Sequence, residues 1–499
     1  MQLCEMIEKI PACQVAGPQT QIITGLFYDS RQVIKGGAFF ALPGAKSDGH
    51  LFVEDAIGRG AIAVFAEKPL VLPEGVTLVR VENARQAMAL AAHAFYGNPT
   101  ADIPVVGVTG TNGKTTVTYL LEAILRTAGK KPAVFGTVNY RYGKAELPSS
   151  HTTPESVDFL RTLADFRAQG ADALVLEVSS HALEQYRVEG IHFDVGIFTN
   201  LTPEHLDYHG TMEGYFASKA AFFRRLLPSS GGRAVVNIDD PYGQRLAAEL
   251  PEALTCGCAK QAMVQVKEAQ LSVDGIAARI STAQDEIDLK SSLVGQFNLQ
   301  NILCAFTAGL ALNLEAPLVA RGIAEAAMVP GRLERIENNR GALILVDYAH
   351  TGDALEKVLS TLKDLQPRRL VTVFGCGGDR DRSKRPVMGE VAARYADLVV
   401  LTSDNPRTED PFAILAEVRP GIEHHYPQEI SLDEGQNGCR GFVVLADRRK
   451  AIRYAVSTLG EGDILLVAGK GHEDYQIIGT EKHHFDDREE LRQALASEE

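Results

Sequence analysis

The sequence is short of the features that would place it in a membrane, a secreted scaffold or a nucleic-acid complex. Its apolar runs, such as Leu343 to Val346 and Ile464 to Ala468, are strand-length, far below the ~20 residues of a membrane span, so no membrane insertion is expected. The opening MQLCEMIEKI carries acidic residues and lacks a basic flank before a long apolar stretch. It does not read as a signal peptide, and a cytoplasmic location is expected. The 7 cysteines form no CxxC pair, and the nearest two, Cys256 and Cys258, lack partner ligands at zinc spacing, so free thiols are expected. Basic charge is also in deficit: 50 Lys and Arg against 64 Asp and Glu leave a formal net charge of -14. That balance works against an electrostatic grip on nucleic acid or anionic lipid. An anionic substrate would need local, well-placed cations. No internal repeat or low-complexity segment stands out.

What is present is an ordinary globular composition, 45% hydrophobic and 23% charged, over 499 residues, a length that predicts about three domains. From Asp102 onward, short apolar runs alternate with helix-like segments: Ile103 to Val108, Ala133 to Val138, Ala173 to Val178, Val195 to Thr199 and Ala234 to Ile238. This alternation predicts an α/β fold with a parallel sheet wrapped by helices. Ala262 to Leu289, with Ile/Val alternation and the turn Asp274-Gly275, predicts a small antiparallel patch before a helix over Asn298 to Leu312. A second alternating block runs through Leu343 to Val346, Leu370 to Phe374, Leu398 to Thr402, Phe442 to Leu445 and Ile464 to Ala468. Before the first block lies a smaller α/β unit with strands at Gly37 to Ala41 and Ala61 to Phe65, ending near Gly97-Asn98-Pro99.

The strongest local signal is Val105 to Thr116, VVGVTGTNGKTT, an apolar strand running into a glycine-rich turn and a helix. Glycines let backbone N–H groups wrap phosphates, the helix N-terminus adds positive dipole, Lys114 adds charge and Thr115 can bind Mg²⁺. This predicts an ATP site at Gly110, Thr111, Asn112, Gly113, Lys114, Thr115 and Thr116, although the strict pattern wants glycine where Val108 stands. Glu177 leaves the next strand at its carboxyl end, where ligands collect in open α/β sheets, and is a natural Mg²⁺ ligand. Taken alone, an acid there is more often a helix cap. Thr199 to His209 leaves a further strand and offers His205 and Asp207, so Thr115, Glu177 and His205 form a candidate magnesium site. Lys219 lies on the apolar stripe of the helical segment Thr211 to Leu226 with Tyr215, Phe216, Phe222, Phe223 and Leu226. It is either a snorkelling stem whose ammonium reaches water, or a desolvated lysine of lowered pKa that reacts with CO₂ to give N6-carboxylysine.

Gly110 to Thr116, Glu177 to His181, Asn200 to Asp207, Gly295 to Asn301, Gly331 to Glu334 and Asp347 to Thr351 occur in the order found in the Mur ligase family, which the chain resembles over essentially its whole length. The resemblance implies three domains: a UDP-binding α/β unit over 1–99, a central ATP-binding unit over 100–333 and a Rossmann-like amino-acid-binding unit over 334–499. It implies adenosine contacts from Asn301, Arg332 and Asp347. It also implies that Lys219 is carbamylated and acts with Lys114 and His205 in catalysis. Tyr28 to Arg31 and Gly44 to His50 resemble the uridine-diphosphate segment of the members that add the third amino acid, with Tyr28, Ser30, Ala45, Lys46 and Ser47 near the nucleotide. His151 (often Asn in the family), Thr152, Thr153, Ser179, Gln185 and Arg187 match the segments that hold the muramoyl dipeptide.

Near the other end, Phe374 to Asp381 and Asp404-Asn-Pro-Arg407 each follow an apolar strand. In the family the second motif marks users of meso-diaminopimelate, with Arg380, Asp404, Asn405, Pro406, Arg407, Gly469 and Glu473 around that amino acid. The chemistry is consistent: arginine forks onto a distal carboxylate while a glutamate receives the distal amine. The implied activity joins meso-diaminopimelate to the D-glutamyl γ-carboxylate of UDP-N-acetylmuramoyl-L-alanyl-D-glutamate, with ATP as co-substrate and Mg²⁺ as cofactor, in a monomeric enzyme. A lysine-adding or folate-polyglutamylating relative, and a nucleotide-dependent interaction module that has lost ligation, are the alternatives the sequence leaves.

Overall fold

The computed structural model describes residues 1–44 and 47–497. The chain divides into two compact units: Met1–Met263 with Cys304–Gly322, and Val264–Leu303 with Ile323–Glu499.

The first unit carries two sheets. The smaller has the strand order Gln14–Ala16, Thr77–Arg80, Ala61–Ala66, Gly37–Phe40, Leu26–Phe27, parallel except where Gln14–Ala16 meets its neighbour. Its inner face, with Phe40 stacked on Phe65 at 4.4 Å, belongs to the same buried cluster as Leu174 and Phe135 of the larger sheet. In the larger sheet, Leu254–Gly257, Arg233–Asn237, Val195–Phe198, Val105–Thr109, Ala173–Glu177 and Pro132–Phe135 are successive parallel neighbours. The strands Val195–Phe198, Val105–Thr109, Ala173–Glu177 and Pro132–Phe135 are buried along their whole length, in keeping with their largely apolar content. The chain leaves Val105–Thr109 toward one side of the sheet and returns to fill the other. That strand is therefore the switch point, where loops at the carboxyl edge diverge and leave a crevice. The antiparallel strands Asn139–Tyr142 and Ala145–Pro148 extend one edge.

The second unit contains the antiparallel meander Val264–Ser272, Gly275–Ser281 and Glu286–Ser291, in the stretch where Ile/Val alternation predicts it. Its main sheet runs Glu334–Ile336, Leu343–Asp347, Ile464–Ala468, Leu370–Phe374, Leu398–Leu401, Gly441–Val444, parallel apart from the first pair. Ile464–Ala468 comes last in sequence but inserts between the first two long strands, so its carboxyl end emerges among theirs. Five strand expectations in this block match within one residue at each end.

One ion pair ties this edge together. Arg448, opening the helix Arg448–Ser457, is fully buried and donates to both carboxylate oxygens of Asp487 at 2.7 Å and to Ala468 O at 3.0 Å. The helices Arg448–Ser457 and Asp487–Ala496 are thereby fastened to the end of the Ile464 strand. Removing one partner of such a pair leaves an uncompensated buried charge. Asp487→Ala is expected to destabilise the second unit by about 3–5 kcal/mol, read as a lower urea midpoint for that unit's unfolding transition by circular dichroism.

Candidate active site

At the end of Val105–Thr109, Gly110 has φ 146° and Gly113 has φ 87°. A Cβ on Gly110 would lie 1.9 Å from Thr199 Oγ1, so the loop reaches its neighbour only because the residue is glycine. Thr111 N donates to Asn200 O at 2.9 Å, Asn112 N to Asn200 Oδ1 at 2.9 Å, and Thr199 Oγ1 to Asn112 O at 2.6 Å. Lys114, Thr115 and Thr116 open the helix Lys114–Thr127, with both threonines buried. Gly107 has a different role: a Cβ there would meet Phe222 at 2.7 Å, so it is a packing glycine rather than part of the loop.

Two lysines converge on one carbonyl. Lys114 Nζ donates to Gly110 O at 3.0 Å and to Thr111 O at 2.8 Å, and Lys219 Nζ donates to Gly110 O at 2.8 Å. Lys219 is 1% exposed, which overturns the snorkelling alternative, because its amine ends on buried backbone rather than in water. Burial first, and the Lys114 charge second, hold its pKa well below that of an ordinary lysine, with Glu204 opposing. Its amine rests 4.6 Å from the ring centre of Tyr215. The helix carrying it, Met212–Ala221, continues into a π-helical turn over Phe222–Leu226. His205 adopts the left-handed conformation, φ 57°, before the short helix Leu206–His209. Its ring lies 5.0 Å from that of His181. Burial lowers the His205 pKa, leaving a neutral imidazole with a lone pair at neutral pH.

Glu177 ends its strand opposite Val108 and accepts from Thr137 N and Thr137 Oγ1, both at 3.0 Å. Thr137 Oγ1 is also 3.0 Å from Thr152 Oγ1. Thr153 Oγ1 donates to Glu177 O at 2.7 Å and receives Ser179 N at 3.1 Å, while Arg187 donates to Thr153 O at 2.8 Å and to Gln185 Oε1 at 2.7 Å. Thr152, Thr153, Ser179, Gln185 and Arg187 therefore form one network with Glu177. His151 stands at its exposed margin, its backbone exchanging hydrogen bonds with the Tyr140 hydroxyl. Tyr28 donates to Asp158, and Ser30 is buried and hydrogen-bonded to Asp55. Ser47 is exposed, and Ala45 and Lys46 lie outside the described residues.

In the second unit, buried Asp347 receives Leu333 N and Ala349 N, each at 2.8 Å, fixing the Gly331–Leu333 turn to the Leu343 strand. The Arg332 guanidinium lies 4.8 Å from the Tyr348 ring centre and lines a 170 Å³ cavity with Val273, Val294, Met328 and Leu345. Asn301 is not among that cavity's lining residues; its amide donates to Asn298 Oδ1 at 3.1 Å.

The loops after Phe374, Leu401 and Ala468 meet at one sheet edge. Arg407, at φ 52°, donates through Nη1 to Gly378 O at 2.8 Å, and its backbone is pinned to the hairpin Tyr475–His484 through Ile477 O at 3.0 Å. Asn405 Nδ2 donates to Glu473 Oε2 at 3.0 Å, Asp404 is buried, and Gly469 takes φ 114°. Pro406 is buried between Asn405 and Arg407, and its carbonyl packs against Gly378. Arg380 alone of this set is turned outward, bonded to its neighbour's carbonyl Asp379 O at 3.0 Å. Beneath the loops, fully buried Arg385 bonds Glu409, Glu417 and Gly377 O, which sets the spacing between the 377–380 and 404–409 segments.

Sequence reasoning missed Thr137, which orients Glu177, and Glu155, which receives Arg85 at 3.2 Å and Arg187 at 3.0 Å. It also missed Lys470. No local pattern marks the first two, whereas Lys470 was legible between Gly469 and Glu473. Among the described residues no group of three or more His, Cys, Asp or Glu side chains is placed to hold a metal.

Family models match in three segments: "Mur ligase family, catalytic domain" over 22–96, "Mur ligase middle domain" over 108–309 and "Mur ligase, glutamate ligase domain" over 331–471. The chain is 52% identical to the UDP-N-acetylmuramoyl-L-alanyl-D-glutamate–2,6-diaminopimelate ligase of Geobacter metallireducens, covering 99% of this chain and 98% of that one. It is 41% identical to the ligase of the same name from Syntrophomonas wolfei, covering 99% of each. A solved structure of a ligase of that name superposes with TM-score 0.72 at 33% identity, covering 100% of this chain and 99% of the other. MurF from Acinetobacter baumannii shares the fold at TM-score 0.64 and 18% identity, over 94% of this chain and 95% of that one. With full-length relatives at this identity, and all three family segments in order, the chain belongs to the Mur ligase family.

Proposed function

We propose that the chain performs the reaction for which its full-length relatives are named, joining 2,6-diaminopimelate to UDP-N-acetylmuramoyl-L-alanyl-D-glutamate with ATP as the driving co-substrate. The observation that carries this reading is the convergence of Lys114 and Lys219 on the Gly110 carbonyl, inside a glycine-shaped loop at the sheet's switch point. Residues 1–99 are assigned to the uridine-diphosphate end of the substrate, 100–333 to phosphoryl transfer and 334–499 to the incoming amino acid. The assigned reaction builds cell-wall peptidoglycan precursors from soluble substrates. Among the described residues no helix is long and apolar enough to cross a membrane. A cytoplasmic monomer is the form in which we expect it to act.

The γ-carboxylate of the substrate's D-glutamate attacks the γ-phosphorus of ATP, ADP departs, and an acyl phosphate results. The amine of diaminopimelate then attacks the acyl carbon, releasing phosphate and a proton as the amide forms. A carboxylate and a triphosphate repel, so the chain must supply positive charge and fixed backbone donors where they meet. Lys114 supplies charge, and the N–H groups at the helix start, from Gly113 to Thr116, hold the phosphates in line. The Glu177 network holds the dipeptide through Thr152, Thr153, Ser179, Gln185 and Arg187, with His151 at the margin. Tyr28, Ser30 and Ser47 are assigned to the nucleotide; Ala45 and Lys46, assigned with them from the sequence, lie outside the described residues. Asn301, Arg332 and Asp347 are assigned to adenosine. Arg332 and the apolar cavity beside it favour a flat base, and Asp347 acts chiefly through the turn it holds.

The donor set suits magnesium. Mg²⁺ is ordinarily held by one or two carboxylates together with substrate phosphates rather than by a dedicated cage, which agrees with the lack of any three-residue acidic or histidine cluster among the described residues. Thr115, Glu177, His205 and a carbamylated Lys219 would hold it, and the bound ion would offset charge on the transferred phosphoryl group. Buried Lys219, its pKa lowered, can add CO₂ through its neutral amine, losing one proton as the N–C bond forms, and so present a carboxylate on a long stem.

Turnover measured with purified UDP-N-acetylmuramoyl-dipeptide, ATP and a panel of amino acids tests the whole reading: phosphate release should require both the dipeptide and diaminopimelate. Lys114→Ala should abolish ligation and ATP consumption with the fold intact by circular dichroism, and near-normal turnover would remove the loop assignment. Arg407→Ala should lower kcat/KM for diaminopimelate by about tenfold or more, since a charge-assisted hydrogen bond is lost, while lysine gains in relative terms. An unchanged ratio between the two amino acids would show that Arg407 is not the selector. Lys219→Ala should fold but lose ligation, with partial recovery in concentrated acetate or formate, and Lys219→Arg should not recover. Because the Lys219 pKa is lowered, its amine is neutral above that value and protonated below it. A carbamate ¹³C resonance from labelled bicarbonate should therefore appear as pH rises, fade as pH falls and be missing from Lys219→Ala.

A further inference from the structure

Lys470 has no part in the assignments above, yet it is the most buried cation of the amino-acid pocket, with a relative exposure of 0%. Its Nζ lies 3.3 Å from Asp404 Oδ1, 3.2 Å from Asn405 Oδ1 and 3.6 Å from Glu473 Oε2. Those three side chains belong to the set placed around diaminopimelate, and Glu473 is the one that receives its distal amine. We infer that Lys470 is a positioning residue that fixes the Asn405 amide and keeps Glu473 ionised beside Asp404, so that the pocket presents a carboxylate to the substrate's second ammonium group. The inference rests on the diaminopimelate reading of this pocket.

Two physical arguments carry it. The first is orientation. Asn405 Oδ1 receives Lys470 Nζ and also Ile477 N, at 2.9 Å, so the amide nitrogen is left to face Glu473 Oε2 at 3.0 Å. The lysine and one backbone N–H thus decide which end of Asn405 meets the glutamate. The second is charge. Two carboxylates, Asp404 and Glu473, approach the same ammonium at this sheet edge, Asp404 buried, and like charges so placed cannot both stay ionised without a compensating cation. Burial and then Asp404 already push the Glu473 pKa above its usual value, while Lys470, Asn405 and Arg407 pull it down. The other charged or titratable groups facing Glu473 are Arg448 from the helix Arg448–Ser457, Tyr348 from the loop after Leu343–Asp347 and Tyr475 from the hairpin. Arg448 is held by Asp487 at 2.7 Å, and Arg407 is committed to Gly378 O on one side. Among the described residues Lys470 is the cation in contact with both acids.

Glu473 must be ionised to receive an ammonium group, so binding should strengthen as pH rises through its pKa and weaken below it. Without Lys470 that pKa rises further. The experiment measures KM for meso-diaminopimelate against pH, with ATP and UDP-dipeptide saturating, in the full-length wild type and in Lys470→Met. Expected are a KM raised by about tenfold or more at pH 7 with kcat changed by less than about twofold, and a midpoint of the KM–pH curve displaced to higher pH. Adding Asp404→Asn to Lys470→Met removes the repelling charge and should return the midpoint toward the wild-type value, which loss of packing alone would not do. If the methionine variant does not fold, Lys470→Gln takes its place. Glu473→Gln separates the two levels of the argument. If it leaves KM for diaminopimelate unchanged, the pocket assignment falls and the role of Lys470 falls with it. If it raises KM but the midpoint is the same with and without Lys470, the pocket assignment stands and the inference about Lys470 is overturned.

Discussion

Two lysine side-chain nitrogens directed at one carbonyl oxygen form the constraint on which the first unit is built. Lys114 and Lys219 both end on Gly110 O, at 3.0 and 2.8 Å. Two full positive charges so close, one of them without access to water, would repel strongly. The arrangement is relieved when buried Lys219 gives up its proton. The surrounding structure serves that juxtaposition. Gly110 lets the loop reach Thr199, Gly107 lets Phe222 pass beneath the strand, and the helix after Thr211 brings Lys219 in from the opposite side.

The second unit solves a related problem with the signs exchanged. Asp404 and Glu473 share a pocket, and Lys470 lies between them. Arg448 with Asp487 and Arg385 with Glu409 and Glu417 are further buried or half-buried charges that hold the loops at a fixed spacing. Ion pairs of this kind contribute little net stability against apolar replacements, but breaking one side is costly. Their effect here is geometric: the loops after Phe374, Leu401 and Ala468 are held in one arrangement, so that Arg407 and Glu473 occupy definite positions.

Both sites lie at the carboxyl edges of parallel sheets, where the chain changes direction across the sheet. The difference between them is the kind of polar atom the loops supply. The loop after Val105–Thr109 offers backbone N–H groups at a helix start, which suit phosphate oxygens. The loops after Leu398–Leu401 and Ile464–Ala468 offer ionised side chains, which suit an amino acid carrying charge of both signs.

The sequence by itself determined the α/β class, nearly every long strand, the antiparallel meander and the glycine-rich loop after Val105–Thr109. Buried parallel strands need continuous apolar runs, and the turn at Gly110 to Thr116 needs glycines in fixed places, so both leave local marks. It also singled out Lys219, because a lysine on an apolar stripe is conspicuous at helical spacing. Only the tertiary structure showed that its amine does not reach water, since burial depends on the strand and loop packed against the helix. The same is true of Glu177, whose carboxylate is oriented by Thr137, and of Arg187, which is tied to Glu155: these partners come from distant segments and follow no spacing rule. Lys470 shows where the division lies. Its position between Gly469 and Glu473 was plain in the sequence, but its contacts with Asp404 and Asn405 exist only because the strand Ile464–Ala468 emerges beside the loop that follows Leu398–Leu401.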